Sequence, residues 1–198
     1  MITIIDYGIG NVRAILNMLT YLDIEAQISG NYKDILSSSH LILPGIGSFD
    51  PAILQLKKRA LIEPIKESVQ HNGNNVLGIC LGMQLLGLHS EEGDLPGLNL
   101  VKAYSVKLQS SADFKVPHIG WSACIPEGEI KLISKNSSFY FSHSYVVESN
   151  LITNRIRSTH GTEFLAGFEV GNIMGVQFHP ERSSKNGFEL LNRFAGTC

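Results

Sequence analysis

The stretch VLGICLGMQ sets Gly78, Cys80 and Gly82 in a G-x-C-x-G pattern, where an apolar run passes into an amphipathic one. This is the thiol version of the G-x-S-x-G elbow, in which the nucleophile sits on a strained turn between a strand and a helix. The neighbours must be small because the turn is tight, and the turn lifts the sulfur clear of the sheet. A helix start favours negative charge and so lowers a thiol pKa. The backbone N–H of Leu81 is placed to donate to a developing oxyanion. A free cysteine is by habit a small buried hydrophobe, but the paired glycines at a strand–helix junction set Cys80 apart. Cys124, in a Trp-Ser-Ala-Cys segment, and Cys198 lack that setting and read as structural or incidental.

A thiol nucleophile needs a base. The histidines are His40, His71, His89, His118, His143, His160 and His179, and only His179 has an acid at a useful spacing, in GVQFHPERS. Residues i and i+2 of an extended segment point the same way, so His179 and Glu181 can sit side by side, with Pro180 ending regular pairing and fixing the local turn. The carboxylate would orient the imidazole, and the imidazole would hold the thiolate. The plainer alternative is a polar turn after a buried strand. H-x-E also opens the zinc-deaminase signature, but the P-C-x-x-C that must follow is missing. No other cluster has metal-ligand spacing, so no metal and no cofactor is expected.

These groups need a scaffold. Residues 2–5 read as a strand and 11–22 as a helix, with Val12, Ile15, Leu16, Leu19 and Leu22 at helical spacing. AQIS (26–29), HLILPG (40–45) and NNVLGIC (74–80) read as further strands, the last two buried on both faces. Residues 50–70 read as a helix with Pro51 near its start and a break at Pro64, and 81–88 as the helix after Cys80. Strands alternating with helices imply a parallel α/β sheet. The second half differs: NLVKAYSVKL, SFYFSHSYVVE, NRIRSTH, EFLAGFEV and IMGVQFHP read as short antiparallel strands, closed by a helix over 187–196. No linker divides the halves, so residues 1–198 are expected to form one domain.

The chain is 43% hydrophobic and 17% charged, which suits a packed core. A net charge of −2 gives no basic surplus, so no nucleic-acid partner is expected. No apolar run approaches the roughly 18–20 residues of a membrane helix. No basic region precedes the first apolar run, so it reads as a core strand rather than a signal peptide. Three cysteines are too few for a disulfide framework and fit a cytoplasmic protein.

PGIGSF, GICLGMQLL, SEEG, PHIGW, HSY and GVQFHPE occur in that order along almost the whole chain, after an opening DYGIGN. In these motifs the sequence resembles the class I (triad) glutamine amidotransferases, and within them the glutaminase subunits of imidazole glycerol phosphate synthases. The resemblance implies a flavodoxin-like fold with a mostly parallel central sheet and added antiparallel strands. It implies hydrolysis of L-glutamine to L-glutamate and ammonia through a cysteine thioester. Cys80 would be the nucleophile, His179 the general acid and base, and Glu181 its orienting carboxylate. Gly45, Ile46 and Gly47 would form the oxyanion hole with Leu81, and that peptide would turn over before its N–H faces the oxyanion. Gln84, Glu92, His143, Ser144 and Tyr145 would surround the substrate. Without the resemblance, Glu91 and Glu92 read as a solvated turn.

The resemblance also implies a heterodimer with a (β/α)8-barrel cyclase, which uses the ammonia to make imidazole glycerol phosphate in histidine biosynthesis. Tyr7, Gly8, Asn11, Trp121, Tyr140 and Arg182 would lie at or near that interface. Trp121 suits an interface anchor, although a half-buried core role fits it equally well. Three departures concern the partner side: Ser122 where the family usually has Asn, Ser142 where it has a hydrophobic residue, and the stretch GLNLVKAYSV. Alternatives follow. A similar glutaminase feeds a sugar amidotransferase in surface-polysaccharide pathways. The same elbow would serve a stand-alone cysteine or γ-glutamyl hydrolase. A regulatory module on a decayed scaffold would keep the fold without the chemistry.

The opening loop has Gly8 and Gly10, but Arg13 stands where the dinucleotide fingerprint has its third glycine, and no G-K-[ST] follows. It therefore reads as a tight turn at the carboxyl edge of the sheet rather than a phosphate cradle.

Overall fold

The computed structural model describes residues 1–110 and 114–197; the reading of Cys198 as incidental falls outside them. The elements are β1 (Ile2–Ile5), α1 (Val12–Tyr21), β2 (Ala26–Ser29), α2 (Tyr32–Ser37), β3 (His40–Gly45), α3 (Phe49–Lys58), α4 (Ile62–Lys66), β4 (Asn75–Cys80) and α5 (Leu81–Leu85). Then come β5 (Tyr104–Lys107), β6 (His118–Glu127), β7 (Ser137–His143), β8 (Tyr145–Glu148), β9 (Arg155–His160), β10 (Thr162–Val170), β11 (Ile173–Val176) and α6 (Ser184–Ala195).

The strands form one sheet in the order β2-β1-β3-β4-β11-β10-β9-β6-β7, with β8 beside β10 and β5 beside β8. The run β2-β1-β3-β4-β11 is parallel. Beyond β11 every strand pairing described is antiparallel. Strand alternation splits the core. Ile4, Ile42, Leu77 and Ile79 pack on the side of α1 and α6; Ile5, Leu41, Leu43 and Val76 pack on the side of α2 to α5. Each such side chain contributes roughly 1.5–3 kcal/mol on burial. No helix among the described residues is long and apolar enough to cross a membrane.

Several boundaries differ from expectation. The helix of 50–70 ends at Lys58, because Ala60 adopts a left-handed φ of +54° and turns the chain before Leu61. Pro64 lies inside the first turn of α4, where its missing N–H costs nothing, and the chain runs on through a π-helical turn, Glu67–His71. The stretch NLVKAYSVKL is strand only over Tyr104–Lys107. α5 stops at Leu85 rather than 88.

Candidate active site

Cys80 ends β4 with φ +54° and ψ −110°, outside the ordinary regions for an L residue. Such a conformation costs on the order of 1–3 kcal/mol and persists only where its surroundings impose it. Here the imposition is packing. A Cβ on Gly78 would sit 2.7 Å from the backbone of Gly82, and one on Gly82 would run into the Leu43 carbonyl of the adjacent strand. The elbow therefore closes only with glycine on both sides. The five residues of α5 form little more than one turn, so its dipole is weak. The charged side chain beside Cys80 is an imidazole.

That imidazole is His179. Its Nδ1 lies 2.9 Å from Oε1 of Glu181, and both side chains are buried. The pairing differs from expectation in one respect. Only His179 is extended; Pro180–Arg182 form a 3-10 turn that folds Glu181 back onto the ring. Burial alone would lower the His179 pKa, but its hydrogen bonds to Cys80 and Glu181 outweigh it and push the value up to about 10. The imidazolium form of His179 is thereby favoured. Oε2 of Glu181 is buried with no hydrogen-bond partner among the described residues.

Cys80, His179 and Glu181 open into a cleft of about 500 Å³ at the carboxyl ends of the parallel strands, where open α/β sheets hold ligands. Gln84, Glu92, His143, Ser144 and Tyr145 line it, as do Ile46, Gly47 and Leu81. Gly45 lies one residue back, where a Cβ would sit 2.8 Å from Cβ of Leu81, so the PGIG loop rests directly against the elbow. Gly47 has φ +89° and Ile46 is half exposed at the cleft mouth. Glu91 and Glu92 do form a turn with Glu91 exposed, but Glu92 is half-buried and its Oε2 accepts the Phe49 N–H at 2.9 Å, at the start of α3. Cys124 is buried, and burial pushes its thiol pKa upward.

The residues proposed for a partner face divide. Gly8, Asn11, Trp121 and Arg182 are exposed and Tyr140 is half-buried. Trp121 is paired with Tyr140 across β6 and β7, their rings edge-on at 6.3 Å, and the Arg182 guanidinium lies 4.4 Å over the Tyr140 ring. Asn11 caps α1, and both Asn11 and Arg182 reach the cleft wall. Tyr7 is corrected. It is fully buried and donates its hydroxyl to the Pro44 carbonyl at 2.7 Å, so it supports the PGIG loop from within and offers no surface. Gly10 also abuts Pro44, since at φ +102° a Cβ there would lie 2.9 Å from Pro44 Cβ.

Sequence reasoning missed Gln177. It is fully buried, accepts from Gln84 Nε2 at 3.1 Å and directs its own amide at Cys80 Sγ, 3.6 Å away. Its signal was slight: Gln177 lies two residues before His179, but β11 ends at Val176 and the chain bends at 177 and 178.

The glutamine amidotransferase class-I family model matches residues 3–196, and the chain belongs to that family. It is 40% identical to imidazole glycerol phosphate synthase subunit HisH 2 of Pseudomonas aeruginosa, over 98% of this chain and 98% of that one. It is 43% identical to the subunit HisH 2 of Methanococcus maripaludis, again over 98% of both. Among solved structures, a glutamine amidotransferase superposes with TM-score 0.75 at 17% identity, covering 98% of this chain and 99% of that one. PurLQS from Thermotoga maritima superposes with TM-score 0.68 at 21% identity, covering 98% and 96%. Both structures share the fold.

Proposed function

We propose that the chain is the glutaminase subunit of an imidazole glycerol phosphate synthase. The observation that carries the reading is the convergence of Cys80, His179 and Glu181 in one cleft, with the thiol on a strained elbow. The names of the full-length relatives support the pathway.

In this reading Cys80 Sγ, as thiolate, attacks the side-chain carbonyl carbon of glutamine. The carbonyl electrons move onto oxygen, and Leu81 N–H with the Gly45–Gly47 peptide stabilises that charge. One aimed donor of this kind is worth roughly 10²–10³ in rate. His179, held protonated, gives its proton to the departing nitrogen, and ammonia leaves. Water then attacks the γ-glutamyl thioester while His179 takes a proton, glutamate departs and the thiolate returns. Glu181 orients the imidazole throughout. Glu92, itself fixed by the Phe49 N–H, would meet the substrate ammonium, and Gln84 with His143, Ser144 and Tyr145 would hold the rest. The partner is a (β/α)8-barrel cyclase. It would dock on the face carrying Trp121, Tyr140, Arg182, Gly8 and Asn11, and the pair would work in the cytoplasm, where a free thiol stays reduced.

The test is the assembled complex with Cys80→Ala. Turnover driven by glutamine should vanish, and turnover driven by added ammonium salt should remain. Loss of both would make Cys80 a structural residue; survival of both would remove it from the chemistry.

A further inference from the structure

Behind the cleft, His118 and His160 stack together and back onto His143 of the cleft wall, and none of these steps uses His118 or His160. His118 opens β6, His143 closes β7, and the two are paired directly across the strands. The His118 ring lies between two others, His160 at 4.1 Å and Phe141 at 4.8 Å between centroids, each within about 22° of parallel. Its Nδ1 is 3.0 Å from Nε2 of His143, and its Nε2 is 3.0 Å from Oγ of Ser122. Nδ1 of His143 is 3.0 Å from the Tyr145 carbonyl.

These distances fix the protons. Burial holds His118 down at about 4 and His143 at about 3, so both rings are neutral near pH 7. A carbonyl oxygen only accepts, so Nδ1 of His143 carries its proton. A neutral ring has one N–H, so Nε2 of His143 is bare and accepts from Nδ1–H of His118. Nε2 of His118 is then bare in turn and accepts from the Ser122 hydroxyl. The bonds run one way, Ser122 to His118 to His143 to the Tyr145 carbonyl, which also receives Gln84 Nε2 at 3.2 Å. They end on the corner between β7 and β8. Ser142 to Tyr145 line the cleft there, and the Ser142 carbonyl lies 4.0 Å from Cys80 Sγ.

We propose that His118 is a positioning residue for the glutamine cleft, locking His143 in the Nδ1–H tautomer and so fixing the corner that holds the substrate. The proposal rests on the reading that this cleft binds glutamine. The other tautomer of His143 would set its lone pair against the Tyr145 carbonyl and release the corner. Ser122 stands one residue from the exposed Trp121, so the chain of bonds begins next to the proposed docking face and ends in the cleft.

Long-range nitrogen-15 NMR of the intact chain reads the tautomers directly. The expected result is a proton on Nδ1 of both His118 and His143; a proton on Nε2 of His143 overturns the proposal. A second arm measures covalent labelling of Cys80 by acivicin, a glutamine mimic. His118→Phe keeps a flat ring but no donor. It should raise the half-saturating concentration about tenfold and leave the limiting labelling rate nearly unchanged, while the acceptor stranded on His143 lowers the melting temperature modestly in the free chain. His118→Asn can donate from near the Nδ1 position and should recover most of the loss. Wild-type behaviour of His118→Phe, or an equal defect in His118→Asn, overturns the proposal while the glutaminase reading stands. Absence of Cys80 labelling in all three proteins overturns the glutaminase reading, and the role of His118 with it.

Discussion

The amide of His179 donates to the carbonyl of Tyr140 at 2.9 Å, while the Tyr140 ring lies under the Arg182 guanidinium. A return path joins the same two residues. The Tyr140 N–H donates to Ser183 Oγ at 3.0 Å, and that hydroxyl donates to the His179 carbonyl at 2.6 Å. One strand thus presents an aromatic ring at an exposed face and holds the backbone of the imidazole. A partner that shifts Tyr140 must also shift His179, which gives docking a short physical route to the chemistry.

Trp121 is the test of that face. It is 53% exposed and edge-on to Tyr140. Trp121→Ala should weaken binding of the cyclase partner by about 2 kcal/mol or more, as loss of a central aromatic anchor does, and leave the melting temperature within a degree or so. Titration of the partner by calorimetry reads the first effect and a thermal scan the second. Unchanged affinity would move the docking surface elsewhere.

Tyr7→Phe should behave in the opposite way. The lost hydroxyl strands the buried Pro44 carbonyl, so the unfolding free energy should fall by about 1–2 kcal/mol, and partner affinity should hold. Burial raises the Tyr7 pKa well above its ordinary value, so it stays a neutral donor throughout the working range. Denaturant titration beside partner titration separates the two effects.

Local spacing carried the site's legibility. The elbow and the H-x-E pair are encoded within five and three residues; the elbow closes as its steric argument requires, and the pair forms through a 3-10 turn rather than an extended chain. Tyr7 shows what family likeness alone misplaced: it lies in a bend two residues beyond the end of β1 and packs in the same core as Ile5. The break after Lys58 had no glycine to announce it, because Ala60 takes the left-handed turn. The His118–His143 contact was out of reach for another reason. It depends on the register of two strands 25 residues apart, which no local pattern specifies.

Gly82→Ala tests whether the elbow is shape-limited. The added methyl would meet the Leu43 carbonyl, backbone of a central strand that cannot swing away. Overpacking of this kind costs about 1–3 kcal/mol, and relief by opening the turn would displace Cys80. The expected outcome is a lower denaturation midpoint together with a large loss of acivicin labelling. Normal labelling in a normally stable variant would show that the turn has slack.

Glu181→Gln separates orientation from charge. With Glu181 and Cys80 in place, the folded-state pKa of His179 stands at about 10, above its ordinary 6.5. A raised histidine pKa stabilises the fold fully below about pH 6.5, and the contribution is lost as pH climbs through about 10. The glutamine side chain keeps an oxygen that can face Nδ1–H but removes the negative charge. The His179 titration should therefore move to lower pH, and the alkaline loss of stability should begin earlier. Glutamine turnover should fall by on the order of a hundredfold, since the imidazolium loses its counter-charge. Ring-proton NMR against pH, thermal scans between pH 6 and 10 and steady-state rates read these three effects. If the rate falls only because the melting temperature collapses at every pH, Glu181 is part of the scaffold; if the titration does not move, its charge is not what holds the proton on His179.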